Sequence, residues 1–598
     1  MPAEIPRMGW PSAAMPWRRA TMFFAALAFC GGGLPAFAQI TSANSTDIGH
    51  TYRVRGVVIN SVTRQPISRA VVYSPDNAVA AMTDDRGRFE FVFPPPAAPQ
   101  AVAPSDPATE NQVRAYSGPG PGGTNPNSPS ALLARKNGYI AMTQYQNIPA
   151  DSSREDLTIV LVPEARIIGH VLIPDSDGSD RIQVQVYRRV IRERREQWEQ
   201  AGTISTRANG DFRIADLSAG YYKLFTLEQM DTDPLTVNPL GPMIGYPPLY
   251  YPAAADFDSA EMIRLEAGET FQPSMSPVRK PYYPIKVGLQ EPPATGQAEV
   301  KVWPQSHPGP GFSLGYNSQA GEVQGSLPDG TYSLLVSSYG ANALSGMLNF
   351  TVRGAPFAAT SMTLVPASSL TVKLTEQFQH TQVAPPQMDP NNPEALSNPR
   401  RPSYLQMQLE PDEPFGLAAP VAIRPPTGPD DESLVIENVQ PGRYRVHTTA
   451  SGPGYAAAVT SGGTDLLRQP LVVGLGASIA TIEITFRDDG AEIEGTVKSP
   501  LHAAIPGQTA QSQQTVLLIP KDRQYDSIRE VWVSPDGTFA LSQLPPGTYT
   551  AMALDLPLAD TGYENEQFLK KYDSKIQLIH VAAEQKLHLS LELISATE

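Results

Sequence analysis

Four segments of the chain end in the same way. Asn209-Gly210-Asp211-Phe212-Arg213-Ile214 leads through Leu217-Ser218-Ala219-Gly220 to Tyr222, and Asp536-Gly537-Thr538-Phe539-Ala540-Leu541 leads through Leu544-Pro545-Pro546-Gly547 to Tyr549. In both, the aromatic that opens a strand lies ten positions before the closing tyrosine. Leu434-Val435-Ile436 runs to Pro441-Gly442-Arg443-Tyr444 with the same offset and leucine in the aromatic place, and Leu327-Pro328-Asp329-Gly330-Thr331-Tyr332 is a looser copy. The closing tyrosines are 110, 112 and 105 residues apart, a period that fits one small β-sandwich per repeat. Asn-Gly or Asp-Gly supplies a tight turn with positive φ, and alternating Phe-x-Ile or Phe-x-Leu sets one face of the next strand in a core. A second turn follows, and the tyrosine after it buries its ring while its hydroxyl finds a partner at the sheet end.

Composition agrees with an all-β chain. Sixty prolines and 46 glycines make up about 18% of the 598 residues, which disfavours long helices. Charged residues at 18% and hydrophobic ones at 41% are far from the composition of a disordered chain. One cysteine, 45 basic against 60 acidic residues and a pI near 5.1 argue against a disulfide scaffold, a zinc-ribbon array and a nucleic-acid binder.

The first residues read as an address. Arg18 and Arg19 precede the apolar run Met22 to Phe29, and small residues before Gln39 place signal-peptidase cleavage after Ala38. A lipoprotein box at Leu27-Ala28-Phe29-Cys30 is the rival reading, but Phe29 sits where a small residue is needed. Removing residues 1–38 takes the single cysteine, Cys30, and leaves net charge −17. No later stretch approaches the ~18 apolar residues of a membrane helix.

Along the mature chain the reading is a sandwich over 39–162 with a Pro/Gly-rich inserted loop at 94–130, then sandwiches over 163–272 and 273–375. A linker or loop follows at 376–402, then sandwiches over 403–488 and 489–598. Units close on apolar strands such as Leu157-Thr158-Ile159-Val160-Leu161 and Leu587 to Leu593. Arg166 to Val171 and Ala491 to Val497 then open new units with a Gly-x-Val strand, so the units sit head to tail.

The Gly-x-Val strand, the turn Asp84 to Phe89 and the turn Leu544 to Tyr549 resemble the carboxypeptidase regulatory-like domain, a transthyretin- or prealbumin-like module of the carbohydrate-binding-like fold. The mature chain is similar to long exported proteins of acidobacterial type. The resemblance implies a tandem array of about five transthyretin/Ig-like antiparallel β-sandwiches and export to the periplasm, outer-membrane surface or exterior. It does not imply peptidase activity, because in carboxypeptidases this module is the non-catalytic partner of a zinc domain.

The residues themselves offer little catalysis. No pair among the eight histidines has the spacing of a zinc peptidase, no Gly-x-Ser-x-Gly elbow occurs, and the mature chain has no thiol. Gly118, Gly120 and Gly123 match a dinucleotide fingerprint but sit in a Pro-rich loop with no strand before it. No catalytic residue, metal site or cofactor is therefore expected, and the chain reads as a non-enzyme. The acidic turns at Asp84-Asp85, Asp175 to Asp180 and Asp488-Asp489 read as solvent-facing turns or calcium loops. The run Arg188 to Glu196 reads as a hairpin end, either solvated or a dock for an acidic glycan or partner. The best candidate platform for stacking on a sugar is Tyr246, Tyr250, Tyr251 and Phe257, with Tyr282 and Tyr283; the same rings also suit a core or domain joint.

The function expected is a carbohydrate- or surface-polymer-binding or structural module of the cell envelope. A protein-binding scaffold or adhesin is the alternative, and an accessory subunit of a peptidase or outer-membrane transporter ranks third. Partners are a glycan or an envelope protein. N-terminal sequencing of the exported protein is expected to begin at Gln39; a lipid-modified Cys30 at the N-terminus would establish the rival processing.

Overall fold

The computed structural model describes residues 52–93, 131–140, 146–147, 157–172, 181–231, 243–380, 405–412, 415, 420–498, 514–554 and 566–594, apart from short gaps within these stretches. The signal region with Ala38, the loop 94–130 with its three glycines, Asp175 to Asp180 and nearly all of the 376–402 linker lie outside the described residues. The rest is β-structure in five sandwiches, and the helices described are the short segments Glu566–Lys571 and Asp573–Lys575.

One pairing rule recurs five times. The opening strand of each sandwich is Tyr52–Asn60, Ala165–Val171, Lys280–Gln290, Ser368–Gln377 or Ala491–Lys498. On one side it pairs antiparallel with Arg88–Phe93, Asp211–Leu217, Glu322–Pro328, Leu434–Val439 or Thr538–Leu544. On the other it pairs in parallel with a closing strand: Leu157–Leu161, the broken pair Thr270–Phe271 and Ser274–Met275, Phe357–Thr363, Ile482–Arg487 or Lys586–Ile594. First and last strands of each unit thus lie side by side and run the same way, so the chain enters at one end of the sheet and leaves at the other, where the next unit begins at once.

In the last four sandwiches the facing sheet is built on the tyrosine strand, Gly220–Thr226, Gly330–Ser337, Gly442–Ala450 or Gly547–Leu554. Each tyrosine is buried and donates its hydroxyl to the carbonyl four residues earlier. The bonds run from Tyr222 to Ser218 at 2.6 Å, Tyr332 to Pro328 at 3.0 Å, Tyr444 to Gln440 at 2.8 Å and Tyr549 to Pro545 at 2.7 Å. The bond ties the turn to its own strand, so the ring fills the core without stranding a polar atom. Six residues before Tyr222, Tyr444 and Tyr549, the left-handed residues Asp216, Asn438 and Gln543 sit where the register slips in a bulge. The looser third copy has no slip between Tyr282–Gly288 and Glu322–Pro328.

A second interlock joins glycine to phenylalanine. Gly56, Gly169 and Gly495 of the opening strands lie directly opposite Phe89, Phe212 and Phe539. A Cβ on Gly495 would overlap the carbonyl oxygen of Leu589 in the closing strand and lie 2.5 Å from the Phe539 ring. Glycine therefore admits both the ring and the parallel strand. In the fourth sandwich Leu434 replaces the phenylalanine and Val372 faces it, so side-chain volume moves from one strand to the other.

Four features depart from the sequence reading. Ser368–Gln377, most of it expected within the third sandwich (273–375), opens the fourth by pairing with Leu434–Val439 and Ile482–Arg487, so the rest of the stretch 376–402 falls between strands of one sandwich. The first sandwich resumes after its insertion at Ala131–Arg135, and Lys136-Asn137-Gly138-Tyr139, whose sequence reads as the resuming strand, form a turn in which Gly138 takes φ +88°. The hairpin Gln229–Met230 and Met243–Tyr246, expected in the second sandwich, pairs with Lys280–Gln290 of the third and so bridges the expected boundary at 272. In the fifth, every residue of Thr515–Pro520 is buried, because Phe568, Leu569 and Tyr572 cover the outer sheet face. The arginine run does end a hairpin, between Gln183–Arg192 and Arg195–Ser205.

Gly495→Ala is expected to destabilise the protein by about 1–3 kcal/mol through overpacking. Adding Phe539→Leu should recover only the ring's share, since the Leu589 carbonyl still intrudes. Tyr549→Phe, which loses one buried hydrogen bond, is expected to cost about 1 kcal/mol. Urea unfolding followed by fluorescence checks all three.

Candidate functional site

The rings expected to form a platform are instead divided among three packing sites. Tyr246 is 1% exposed and belongs to the second core; its hydroxyl accepts from Arg279 Nε at 2.8 Å, and Arg279 pairs with buried Asp231 at 3.1 Å. Tyr250 and Phe257, 2% and 1% exposed, join Tyr187, Trp198 and Phe225 in a separate cluster. Tyr251 is half-buried, edge-on to Phe271. Tyr282 is buried in the joint and Tyr283 half-buried against the third core. With the faces of Tyr246, Tyr250 and Phe257 covered by protein, these rings do not make a sugar platform.

The ring cluster is a joint between sandwiches. Phe257 stands edge-on to Tyr187, Trp198, Phe225 and Tyr250, and also to Phe415 from the fourth sandwich, at a centroid distance of 4.9 Å. Lys223 is buried within it. Its ammonium donates to the carbonyls of Phe257 at 2.7 Å and Asp258 at 3.0 Å and lies 4.8 Å and 5.1 Å from the ring centres of Phe257 and Trp198. Burial lowers the Lys223 pKa, while the carbonyls and ring faces compensate the charge.

Beside this joint, between the second and third sandwiches, lies a groove of about 780 Å³. Pro247, Pro248, Leu249 and Ala253 to Ala255 wall one side, with Pro304, Phe312 and Pro328 on the other. Its polar groups are Lys280, Gln305, Asp329 and Thr331. Val278, at the mouth, is 68% exposed, and Lys280 has no partner among the described residues. The size and the mixture of apolar walls with a few polar groups are those of a ligand cleft.

One wall is pinned by a buried carboxylate. Tyr250 donates its hydroxyl to Pro310 O at 2.5 Å, and Ser313 donates from N at 2.8 Å and Oγ at 2.6 Å to Glu228 Oε1. Glu228 Oε2 is shielded without a partner among the described residues, and burial raises the carboxyl pKa to about 7 against the pull of the two Ser313 bonds. The Glu228 charge in turn raises the phenol pKa values of Tyr282 and Tyr332 beyond the larger effect of their burial.

Farther along, Glu410 Oε2 lies 2.6 Å from His447 Nε2, and Ser527 Oγ lies 3.4 Å from His447 Nδ1. The line has the residue types of a hydrolase triad. Its surroundings are those of a joint: Arg445 stacks on Tyr525 at 4.9 Å, Tyr525 N donates to Leu467 O, and Arg523 donates to Ala457 O. These contacts fasten the segment around Tyr525 in the fifth sandwich to the fourth.

In the described acidic turns, carboxylate oxygens of Asp84, Asp488 and Asp489 accept from protein donors. Asp84 accepts from the Arg86 and Arg88 amides, Asp488 from the Gln379 and His380 amides, and Asp489 from Tyr455 and Arg487. Among the described residues no group of three or more His, Cys, Asp or Glu side chains is placed to hold a metal. Of the tryptophans, Trp198 is buried in the joint and Trp532 is 61% exposed. Sequence reasoning missed Lys223, Phe415 and Glu228; only the aromatic density around 246–257 pointed to their neighbourhood.

No family model matches the chain, and no curated protein matches it. Among solved structures, a protein of Bacillus anthracis named TIE is 10% identical over 69% of this chain and 68% of its own, at a TM-score of 0.14. Two B repeat units of the Staphylococcus aureus collagen binding protein are 8% identical over 72% and 99%, at 0.13. The major pilin subunit BcpA of Bacillus cereus is 8% identical over 72% and 99%, at 0.12.

Glu228 makes the joint pH-dependent. With its pKa raised from 4.5 to about 7, its contribution is complete below pH 4.5 and is lost as pH rises through 7, on the order of 3 kcal/mol in all. Glu228→Gln is expected to abolish that slope and to exceed the wild type in stability at pH 8; melting curves from pH 5 to 8 check this.

Proposed function

We propose that the protein is an exported, non-catalytic scaffold of carboxypeptidase regulatory-like β-sandwiches, which presents protein-binding surfaces at the cell envelope. The observation that carries this reading is the use of chemistry-bearing side chains as fasteners between sandwiches. Lys223 with Phe257 and Phe415 joins the second to the fourth, Glu228 with Ser313 the second to the third, and His447 with Ser527 the fourth to the fifth. Such joints fix the modules against each other, which suits a rigid support more than a string of independent binders. The sugar-stacking form of binding loses its best platform once Tyr246, Tyr250 and Phe257 are packed inside. The groove walled by Pro247, Pro248 and Phe312 then serves as the docking surface, for a partner segment that sets apolar side chains against the prolines and an acidic group against Lys280. Serving as an accessory to a peptidase or transporter is a special case of the same role.

Peptide arrays on the purified protein test it. Apolar, acidic peptides are expected to bind, and to lose at least about tenfold in affinity when Ala254→Trp fills the groove or Lys280→Glu reverses its charge. Hydrolysis of peptide, ester or glycoside substrates that disappears in His447→Ala would overturn the non-catalytic reading.

A further inference from the structure

The second sandwich carries a pocket of its own, apart from the groove. It measures about 460 Å³, and its walls include Arg207, Arg213, His170, Asp211, Gln272 and Ile168. The interlocking Gly169 and Phe212 fix its floor. One step along the same register, His170 faces Asp211, with Nδ1 2.9 Å from Oδ1. Asn209 donates to the other Asp211 oxygen at 2.6 Å, so the carboxylate is held from both sides. Gly210, at φ +83°, leaves room for the imidazole; a Cβ there would lie 3.1 Å from His170 Cε1. The closing strand is broken between Phe271 and Ser274, and Gln272 and Pro273 in the break line the pocket.

The first and fifth sandwiches provide an internal control, because they share the frame residue for residue. Asp84, Arg207 and Ser534 occupy the same place in three turns with matching backbone bonds: each donates its amide to the residue four later, Arg88, Asp211 or Thr538, and accepts from the glycine three later. The position facing the imidazole's is Arg88 opposite Val57 in the first and Thr538 opposite Thr496 in the fifth. The fold is therefore satisfied without histidine at the His170 place, aspartate at the Asp211 place or arginine at the Arg207 place, and their combination in the second sandwich asks for another reason.

What the pocket offers is a set of unspent donors beside an apolar ledge. The Arg207 guanidinium acts on Asp211 only through its charge and makes no hydrogen bond or ion pair among the described residues. The Gln272 amide is likewise unpaired, and His170 uses Nδ1 alone. Arg213 is different, being drawn toward Glu164 at 3.4 Å. A planar guanidinium matches a carboxylate in two-point geometry, an amide and an imidazole match vicinal hydroxyls, and Ile168, 40% exposed, offers a surface for the C–H face of a ring. We propose that this pocket binds a carboxylate-bearing sugar of an acidic polysaccharide, with Arg207 holding the carboxylate and Gln272 and His170 the hydroxyls. The site is separate from the groove and does not depend on the scaffold reading.

Titration calorimetry of the full-length exported protein with trigalacturonate tests the proposal. Saturable binding is expected, weakened about tenfold or more by Arg207→Ala and several-fold by Gln272→Ala. It should be absent for the fully methyl-esterified trimer and unchanged by Lys586→Ala, which removes a cation from the fifth sandwich. All substituted residues are exposed, and a melting curve for each variant establishes that it is folded. Failure of the folded protein to bind trigalacturonate at millimolar concentration would overturn the proposal. So would equal binding by Arg207→Ala, or equally tight binding of triglutamate, which would make the site a general carboxylate site for peptides.

Discussion

Everything in this protein hangs on the opening strand of each sandwich being gripped from both sides. The parallel closing strand comes close enough that its carbonyl occupies the space of a side chain, and a phenylalanine from the antiparallel neighbour lies over the same spot. Only glycine accepts both, which is why Gly56, Gly169 and Gly495 stand where strand propensity would choose a branched residue. The exchange of Gly and Phe for Val372 and Leu434 in the fourth sandwich shows that the constraint is on the pair. Closing each sandwich this way sets chain entry and chain exit at opposite ends of the sheet. Tandem joining with almost no linker follows, and with it the close joints on which the candidate site is built.

The turns and the tyrosines were legible because their physics is local. Asn-Gly and Asp-Gly need only their own φ values, and a tyrosine bonding four residues back needs only its own turn. The second face of a strand was not legible. Alternation in Gly220–Thr226 puts Tyr222 inward and therefore Lys223 outward, toward solvent, yet Lys223 is buried because the segment around Phe257 and the ring of Phe415 cover that face. Thr515–Pro520 is covered in the same way, by a short helix on its outer side. A period of two reports which face a residue is on, and says nothing about what a distant segment lays over that face. The tyrosine-rich stretch around 246–257 was identified as an aromatic concentration, but its direction, inward, was set by those coverings.

The pocket in the second sandwich illustrates information present in the sequence but reachable only through register. His170 and Asp211 are 41 residues apart, and neither belongs to a motif. Once Gly169 is paired with Phe212, antiparallel geometry places His170 opposite Asp211, and the turn residue Arg207 follows from the same alignment. Aligning the three Gly–Phe frames would have exposed the second sandwich as the odd member. The break at Gln272 and Pro273 could not be read this way, because proline at a closing strand signals an irregularity without giving its shape.

The acidic sugar proposed for the pocket has the same sign of charge as the protein as a whole, and distance resolves the conflict. Counterions screen charges over about 8 Å at physiological ionic strength, so the excess carboxylates scattered over 598 residues act on an approaching polyanion mainly as a weak barrier. A guanidinium in contact with one carboxylate is not screened in the same way. Added salt then has opposite effects on the two: it lowers the long-range barrier and so speeds encounter, and it weakens the contact only when ions compete for Arg207 itself. A basic surface would hold acidic polymers everywhere and indiscriminately, whereas one guanidinium, unpaired among the described residues, in a shaped pocket on an acidic body selects for the one geometry that fits.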